Sequence, residues 1–260
     1  MSKKILMPII TPRKRDEVDY RKAILELLRP TFQKVRNELL PIYSTLESNL
    51  VKDSSVSDIT NFFKSAKALS LDDVIESLVN SKFLNNTLNT FEKKNNEAFK
   101  KKLGIDVFSN RADFADLLKI KAAENANLIS DLSDDYISRI ATATYESVAN
   151  GERSSELLKK IRKIEGLEVR RAKFIARDQV SNLTADLNEV RQKSLGVDKY
   201  RWRTMGDERV RGNPAGLYPK ARPSHFARNN KIFSWDDAPK GGHPGKDYNC
   251  RCIAQAIIEI

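Results

Sequence analysis

Apolar residues recur at spacings of three and four along most of the first 150 positions, which is the period of an amphipathic helix. The repeat starts near Asp16, and Pro30 and Pro41 mark kinks or boundaries in it. A further helix is predicted to begin at Ser57 or Asp58, because both residue types are good N-caps. This region contains no histidine, no cysteine and no glycine-rich phosphate loop. It is therefore predicted to be a helical scaffold or docking region.

The helical spacing continues to about residue 195. One or two helices are predicted over 71–102 and a pair of helices over 112–151. Two more helices, 152–165 and 169–194, are predicted on either side of Gly166. The second of these would be about 39 Å long at ~1.5 Å per residue.

After Gly196 the period of the pattern changes from about 3.6 residues to two. Residues 199–205 alternate Tyr, Trp and Thr with basic side chains, which is typical of a half-buried strand with a cationic outer face. Two more strands are predicted at 231–235 and 252–260. The sequence thus predicts an α+β protein: a mainly helical N-terminal region, then a long helix packed on a small antiparallel β-sheet.

Glycine and proline are concentrated in the C-terminal part of the chain. Only one of the 10 glycines lies in the first 150 residues, whereas 6 Gly and 5 Pro lie between Gly206 and Gly245. Two long Gly/Pro-rich loops are expected here, at 212–224 and 236–249. Loops of such length without secondary structure are usually functional, ligated or disordered.

Positive charge is concentrated in the same part. Residues 1–150 carry 23 Lys+Arg and 21 Asp+Glu, a net +2, whereas residues 151–260 carry 23 and 14, a net +9. A local excess of this size suits contact with a polyanion, although a solvated basic surface has the same composition. Nine basic residues are the candidate nucleic-acid contacts: Lys159, Lys160, Arg162, Lys163, Arg170, Lys173, Arg177, Arg201 and Arg203.

Composition excludes several classes of protein. With 40% hydrophobic residues the chain is too apolar for a disordered protein, and 2 cysteines cannot staple a secreted mini-protein. No apolar run approaches the ~20 residues of a membrane span, and the N-terminus lacks the apolar core and cleavage site of an export signal. The protein is therefore expected in a reducing cytoplasm, without a structural disulfide.

Seven short segments stand in a characteristic order along the second half of the chain: Ala176-Arg177-Asp178-Gln179-Val180, Arg201-Trp202-Arg203-Thr204, Gly206-Asp207-Glu208-Arg209-Val210-Arg211, Arg222-Pro223-Ser224-His225, Lys231-Ile232-Phe233-Ser234-Trp235, Gly242-His243-Pro244-Gly245 and Asn249-Cys250-Arg251-Cys252. In order and spacing they resemble the C-terminal domain of the tailed-phage minor head proteins, the Mu F-protein-like head-morphogenesis family. The resemblance covers about residues 130–260.

This resemblance implies a non-enzymatic minor capsid protein, packaged in few copies inside the procapsid and associated with the portal vertex. It divides the chain into a helical scaffold or docking region, 1–130, and a Mu-F-like domain, 131–260. The implied partners are the portal protein and the major capsid or scaffolding protein, with DNA contacted or delivered in some members. The implied location is the capsid interior at the portal vertex, and the host cytoplasm during assembly.

Many members of the family carry a Cys-x-x-Cys pair and a later His-Pro-Asn-Cys-Arg-Cys, a set that looks like a zinc site. Here Arg222 and His225 stand at the positions of the first pair, separated from Arg211 by the insertion 212–221. The candidate zinc ligands are all the histidines and cysteines of the chain: His225, His243, Cys250 and Cys252. Two cysteines on one face of a strand also pack as small apolar side chains, so the alternative is ordinary packing without a cofactor.

The charged residues of the third segment are assigned a structural role. Asp207, Glu208, Arg209 and Arg211 are predicted to be ion-paired residues that hold a turn, with Arg177 of the long helix as a further partner. The reason is that buried charges are retained in proteins when they are paired.

An enzymatic interpretation competes with this one. A phage-encoded nuclease or toxin delivered with the genome would use His225 or His243 with Glu208 and Arg209. A cysteine nucleophile with His243 as its base lacks an identifiable third group to orient the imidazole, and the motif Gly-x-Ser-x-Gly is absent. No residue is therefore assigned a catalytic role.

Overall fold

The computed structural model describes residues 4–48, 53–66, 69–105 and 112–259. Their elements follow in the order β1 (Lys4–Leu6), α1 (Lys14–Lys34), a π-helical turn (Val35–Leu39), α2 (Leu40–Ser48), α3 (Asp53–Ser65), α4 (Leu71–Asn80), α5 (Lys82–Leu103), α6 (Ala112–Ala149), α7 (Ser154–Ser194), β2 (Lys199–Arg203), a 3₁₀ turn (Phe226–Arg228), β3 (Ile232–Ser234) and β4 (Ile253–Glu259). The predicted α+β class is confirmed. None of the helices in these ranges combines the length and the apolar character that crossing a membrane requires.

The four strands form one antiparallel sheet in the order β1-β4-β2-β3. The three predicted strands are present, and Tyr200 and Trp202 of β2 are fully buried while the basic residues between them are not. Strand β1 was not predicted, because its three residues are too few to show a period of two. It pairs with the end of β4, where Ile5 lies opposite Ile258.

Helices α6 and α7 differ from the prediction in the same way. The pair of helices predicted over 112–151 is one helix, and the break predicted at Gly166 is absent because α7 is continuous from Ser154 to Ser194. A glycine inside a helix costs only about 1 kcal/mol relative to alanine, so the flanking helical turns outweigh it. Gly104, with a φ of 69°, ends α5 as predicted.

Two helix boundaries of the N-terminal region also differ. Helix α3 begins at Asp53, ahead of the predicted start at Ser57 or Asp58. Pro30 lies inside α1, and Pro41 follows a π-helical turn at the start of α2. Proline lacks an N–H donor and crowds the preceding turn, so a widened turn lets the helical path continue past it.

The chain forms two compact units that are each discontinuous in sequence. The helical unit comprises residues 18–81 and 122–176, and the sheet unit comprises residues 1–17, 82–121 and 177–260. Residue 130 lies inside α6, and the division at this residue into 1–130 and 131–260 stays a prediction.

The helical unit has an apolar core with side chains from α2, α3, α6, α7 and the π-helical turn. Its buried members are Val35, Leu39, Tyr43, Ile59, Phe62, Tyr136, Ile140, Leu157 and Ile161. They recur at helical spacing within each segment, so the core follows directly from the amphipathic pattern.

The sheet unit has an aromatic core under its C-terminal strands: Tyr200, Trp202, Trp235, Cys250, Cys252 and Ala254. Gln192 of α7 connects the helix to this core. Its side-chain oxygen accepts a hydrogen bond from Trp235 Nε1 at 3.0 Å, and its nitrogen donates to the carbonyl of Ala254 at 3.0 Å. The amide thus satisfies a buried donor and a buried acceptor at once.

Candidate functional site

Three of the four predicted metal ligands lie together in the sheet unit. Cys250 and Cys252 immediately precede β4, and because side chains alternate along extended backbone they point to the same side. His225 precedes the 3₁₀ turn, and its Nδ1 lies 3.5 Å from Cys250 Sγ and 3.7 Å from Cys252 Sγ. All three residues are buried, and their ligand atoms lie within 4.8 Å of one another.

The two thiols have opposite tendencies to ionise. A hydrogen bond from Cys252, opposed by burial and supported by His225, lowers the pKa of Cys250 to about 4. The same hydrogen bond, together with burial, raises the pKa of Cys252. One thiolate and one thiol beside an imidazole can attract a soft cation, and the thiolate is the form in which cysteine binds metals.

His243 lies in different surroundings from the other three. Its Nδ1 is 2.8 Å from the hydroxyl of Tyr200, and its ring packs against Tyr200 and Trp235 at centroid distances of 5.6 and 4.9 Å. Burial lowers the pKa of His243. Within the described ranges the group that could hold a metal ion therefore consists of His225, Cys250 and Cys252, and His243 is not part of it.

Charged residues of the Gly206–Arg211 segment contact residues 247–251, at the end of the second long loop and just before β4. Arg251, which lies between the two cysteines, donates two hydrogen bonds of 2.7 Å to the carboxylate of Asp207. Burial opposes ionisation of Asp207, but the bonds from Arg251 outweigh it and the pKa of Asp207 is lowered. Arg211 pairs with Asp247 and also donates to the carbonyl of Tyr248. Asp247 Oδ2 in turn lies 3.5 Å from Nε2 of His225.

The four residues of this predicted structural motif thus have different surroundings. Asp207 and Arg211 are ion-paired, whereas Glu208 and Arg209 are exposed and form no ion pair within the described part of the chain. Glu208 takes part through its backbone, because its carbonyl accepts a hydrogen bond from the Leu217 N–H at 2.7 Å.

Helix α7 holds the second loop in place. Arg177 donates to Asn249 Oδ1 at 2.7 Å, and Asp178 accepts from the Asn249 N–H at 2.5 Å. Burial raises the pKa of Asp178, against the effect of that backbone hydrogen bond. Gly245 approaches the helix so closely that a Cβ on it would lie 2.4 Å from the Cβ of Ala185. These contacts fix the backbone just ahead of Cys250.

A cleft of about 250 Å³ opens over the thiol–imidazole group. We call it the arginine cleft, after the arginines among its lining side chains: Arg209, Arg211, Arg251, Tyr218, Tyr248, His225, Cys250 and Cys252. Tyr218 and Tyr248 are 53% and 66% exposed, whereas His225 and the cysteines are buried. The cleft therefore has an exposed rim of Tyr218, Tyr248 and Arg209 above the buried thiol–imidazole group.

The nine candidate nucleic-acid contacts are distributed over both units. Four on α7 are exposed and form no ion pair within the described ranges: Arg162, Lys163, Arg170 and Lys173. At 100° per residue they fall within one quadrant or so of the helix, so they share a face. Lys159 and Lys160 pair with Glu156 and Glu152. Of the three in the sheet unit, Arg201 and Arg203 are half-buried, Arg203 donates to Asn230, and Arg177 contacts Asn249.

Sequence reasoning did not assign a site role to Asp247, Asp178 or Asn249. Asp247 contacts both Arg211 and His225, and the other two join the second loop to α7. Asp178 and Asn249 lie within the segments that carry the family resemblance, and this is the sequence signal by which they could have been found. Asp247 lies outside those segments, and only its position in space distinguishes it from other acidic residues.

Comparison with known proteins gives two matches. Residues 138–255 match the family model described as phage Mu protein F like protein. A Haemophilus influenzae protein that carries the name "Uncharacterized protein" is 30% identical over 164 residues, which cover 62% of this chain and 34% of the relative. No solved structure matches the chain.

Proposed function

Residues 138–255 are a domain of the phage Mu protein F-like family, a family of phage head proteins, and from this premise we propose that the protein acts in head morphogenesis. In this proposal it is a minor capsid component inside the head, docked at the portal vertex and in contact with the major capsid or scaffolding protein during assembly. The family match carries the proposal, and the motif segments within it support it. They meet in the sheet unit through the pairs Asp207–Arg251 and Arg177–Asn249.

The experiment is a protein inventory of purified procapsids and virions of a phage that carries the gene. We expect the protein in both particles, in far fewer copies than the major capsid protein, and cross-linked to the portal protein after treatment with a lysine-specific reagent. A matched phage with the gene deleted shows which head defects depend on it. Absence of the protein from both particles would sink the assignment.

DNA contact is the second part of the proposal. The support is the exposed face of α7 that carries Arg162, Lys163, Arg170 and Lys173 without acidic partners in the described ranges. Each phosphate contact contributes about 0.9 to the slope of log affinity against log salt. Replacing all four by glutamine should lower that slope by up to about 3.6 if every one of them contacts a phosphate.

A control variant distinguishes the effect of this face from the effect of lowering the net charge. Lys101, Lys102, Lys231 and Lys240 are exposed and lie elsewhere in the sequence, so their replacement removes the same charge. Fluorescence anisotropy with duplex DNA over a range of salt concentrations measures both variants. Equal loss in the two would contradict a binding face on α7.

Zinc binding is a second candidate function, favoured by the geometry of His225, Cys250 and Cys252. Bond lengths of ~2.3 Å to sulfur and ~2.05 Å to nitrogen place tetrahedral ligands about 3.6 Å apart. The observed Nδ1–Sγ distances of 3.5 and 3.7 Å agree with this value, so these residues fit the ion. Bound there, zinc would cross-link the loop that carries His225 to the start of β4.

Metal analysis of protein purified without a chelator or an affinity tag tests this candidate. About one equivalent of zinc is expected, lost on Cys250→Ser or His225→Ala and retained on His243→Ala. Zinc far below one equivalent would leave the cysteines as packing residues. Loss of zinc on His243→Ala would instead restore the four-ligand set predicted from the sequence.

The competing function, a nuclease or toxin, has a direct test. It predicts degradation of nucleic acid by the purified protein, abolished when His225 and His243 are both replaced by alanine. In the structure His225 is only 3% exposed and faces the thiols, and His243 is held by Tyr200, so neither geometry favours attack on a phosphate.

A further inference from the structure

We infer that the arginine cleft binds an unstacked nucleotide of single-stranded DNA. The inference rests on the proposed DNA contact and assigns it a second location, distinct from the exposed face of α7. It starts from the combination of side chains at the rim, where arginines and exposed tyrosines surround one small opening. Proteins that bind single strands combine a cationic groove with aromatic rings on which bases stack.

The arginines are held in place before any ligand arrives. Asp207 fixes Arg251 by accepting hydrogen bonds from a single guanidinium nitrogen on both carboxylate oxygens, and Asp247 fixes Arg211. Arg209 is exposed, and its own N–H is bonded to Asp207 at 3.2 Å. A guanidinium that keeps free N–H groups can still bind a phosphate in a planar, two-pronged manner. With two arginines matched by two aspartates, Arg209 contributes the unbalanced positive charge.

The insertion 212–221 forms one wall of the cleft and carries Tyr218. It is packed tightly, because the Gly212 N–H donates to the carbonyl of Tyr218 at 2.9 Å and the Leu217 N–H donates to Glu208. At Gly216 an added Cβ would lie 2.3 Å from the Glu208 carbonyl oxygen, so the segment closes directly on the Gly206–Arg211 motif. Arg211 donates to the carbonyl of Tyr248, which fixes the backbone of the second tyrosine of the lining.

The size of the cleft favours a single strand over a duplex. A volume of about 250 Å³ lies just below the ~300 Å³ lower end of small-molecule pockets, which is room for one nucleotide at most. A stacked duplex cannot present a base to such an opening without extruding it, whereas a single strand offers its bases freely.

The test measures binding of the full chain to a fluorescent oligo(dT) and to a duplex of equal length at one salt concentration. Tyr218→Ala and Tyr248→Ala are each expected to weaken oligo(dT) binding at least about fivefold, because a stacked base contributes ~1–3 kcal/mol by alanine substitution. Duplex affinity should stay within about twofold, since duplex binding rests on phosphate contacts. Tyr218→Phe should bind like the original chain, because it keeps the ring.

Matched controls separate stacking from charge and from surface aromatic content. Tyr145 is 40% exposed on α6 of the helical unit, so Tyr145→Ala should leave oligo(dT) binding unchanged. Arg209→Gln should weaken oligo(dT) binding more than Lys231→Gln, which removes the same charge from an exposed site that does not line the cleft.

The outcomes distinguish this inference from the proposed function. Normal oligo(dT) binding by both tyrosine variants overturns the cleft assignment and leaves DNA contact by α7 standing. Failure to bind either form of DNA overturns both, while head assembly is decided by the particle inventory. Full displacement of oligo(dT) by equimolar thymidine monophosphate assigns the cleft to free nucleotides. Loss of portal cross-linking in the tyrosine variants, with DNA binding intact, makes the cleft a protein-docking surface.

Discussion

The helical unit and the loops of the sheet unit reach a defined structure by different means. In the helical unit, nine buried apolar or aromatic residues come from amphipathic segments. Most of them lie on helices whose apolar residues recur at the helical period. A few polar contacts support this core. For example, Arg36 pairs with Glu165, which also accepts a hydrogen bond from the hydroxyl of Tyr136.

The two loops of the sheet unit lack such a repeat. The loops and the residues that flank them are held by separate polar contacts between residues distant in sequence, such as Asp207–Arg251 and Arg211–Asp247, and by the close approach of Gly245 to Ala185. Each contact therefore constrains one position, and no neighbouring contact compensates when it is removed. Adding or removing a single side-chain group in the loops should therefore lower the free energy of unfolding, whereas the helical unit should tolerate changes of the same size.

The largest effect is expected at Gly245. Its φ of +87° is unfavourable for any other residue, and an added Cβ would lie 2.4 Å from Ala185 Cβ. Gly245→Ala should lower the free energy of unfolding by about 3 kcal/mol, from backbone strain and overpacking together. Urea titration followed by tryptophan fluorescence measures it, because both tryptophans, Trp202 and Trp235, lie in the sheet unit.

A matched control is Gly196→Ala. Gly196 also has a positive φ, of +68°, but nothing lies within 4 Å of its added Cβ. Gly196→Ala should lower the free energy of unfolding only by the backbone contribution, about 1–2 kcal/mol. Equal losses at the two positions would show that the contact with α7 does not constrain the loop.

The next effect concerns the ion pair between Arg211, just before the first loop, and Asp247 of the second loop. Arg211→Ala removes the bonds to Asp247 and to the Tyr248 carbonyl, and both partners of the ion pair are about three-quarters buried. The expected loss is about 1 kcal/mol, reduced from the value for a fully buried charged bond by solvent screening. Arg209→Ala, at an exposed residue of the same segment, should change the free energy by less than about 0.5 kcal/mol. Equal losses of stability in the two variants would show that this ion pair does not hold the second loop.

A smaller effect of opposite sign is expected in the helical unit. Gly166 lies inside α7 with nothing within 4 Å of an added Cβ, so Gly166→Ala should raise the free energy of unfolding by about 0.5–1 kcal/mol. Gly151→Ala in the same unit should instead be destabilising, because Gly151 has a φ of +62° after the end of α6. Far-ultraviolet circular dichroism follows the change. A loss of stability at Gly166 would indicate that the helix needs its glycine.

The same contrast explains how far the sequence predicted the structure. Periodicity predicted the helices around Ile24, Phe62 and Ile161 and the burial of Trp202, because each follows from a local repeat. It placed a false break at Gly166, since the cost of one glycine is small beside the stability of a long helix. It missed β1, which forms only because β4 offers an edge to a segment 250 residues away.

Prediction of the site was limited by the same physics. The motif series predicted the family, now confirmed for residues 138–255, and brought His225, Cys250 and Cys252 into one candidate set. It grouped His243 with them, because composition cannot show which loop residue reaches which partner. The contact of His243 with Tyr200 and the role of Asp247 depend on loop conformations that no local pattern specifies.

The smallest effect is the part of the pH dependence of stability that His243 contributes in the sheet unit. Burial lowers the pKa of His243, with Lys193 acting in the same direction and Glu189 and the Trp235 backbone opposing. The unfolded chain therefore takes up a proton at a higher pH than the folded one. Stability from this group is present above the ordinary histidine pKa of about 6.5 and is lost as the pH falls through it towards the lower folded value.

Unfolding at about pH 7.5 and about pH 5.5 is compared between the original chain and His243→Gln, because Cys250, with its pKa lowered to about 4, and buried Asp178, with its raised pKa, contribute to the pH dependence of both. The original chain should lose more stability between these values than His243→Gln, by less than about 1 kcal/mol because the imidazole is partly solvated. Both histidines and both tryptophans of the chain lie in the sheet unit, so tryptophan fluorescence follows the unfolding transition that should carry this component. An identical pH response in His243→Gln would mean that Tyr200 holds the charged and neutral imidazole equally well, and that the loop around His243 does not depend on its protonation.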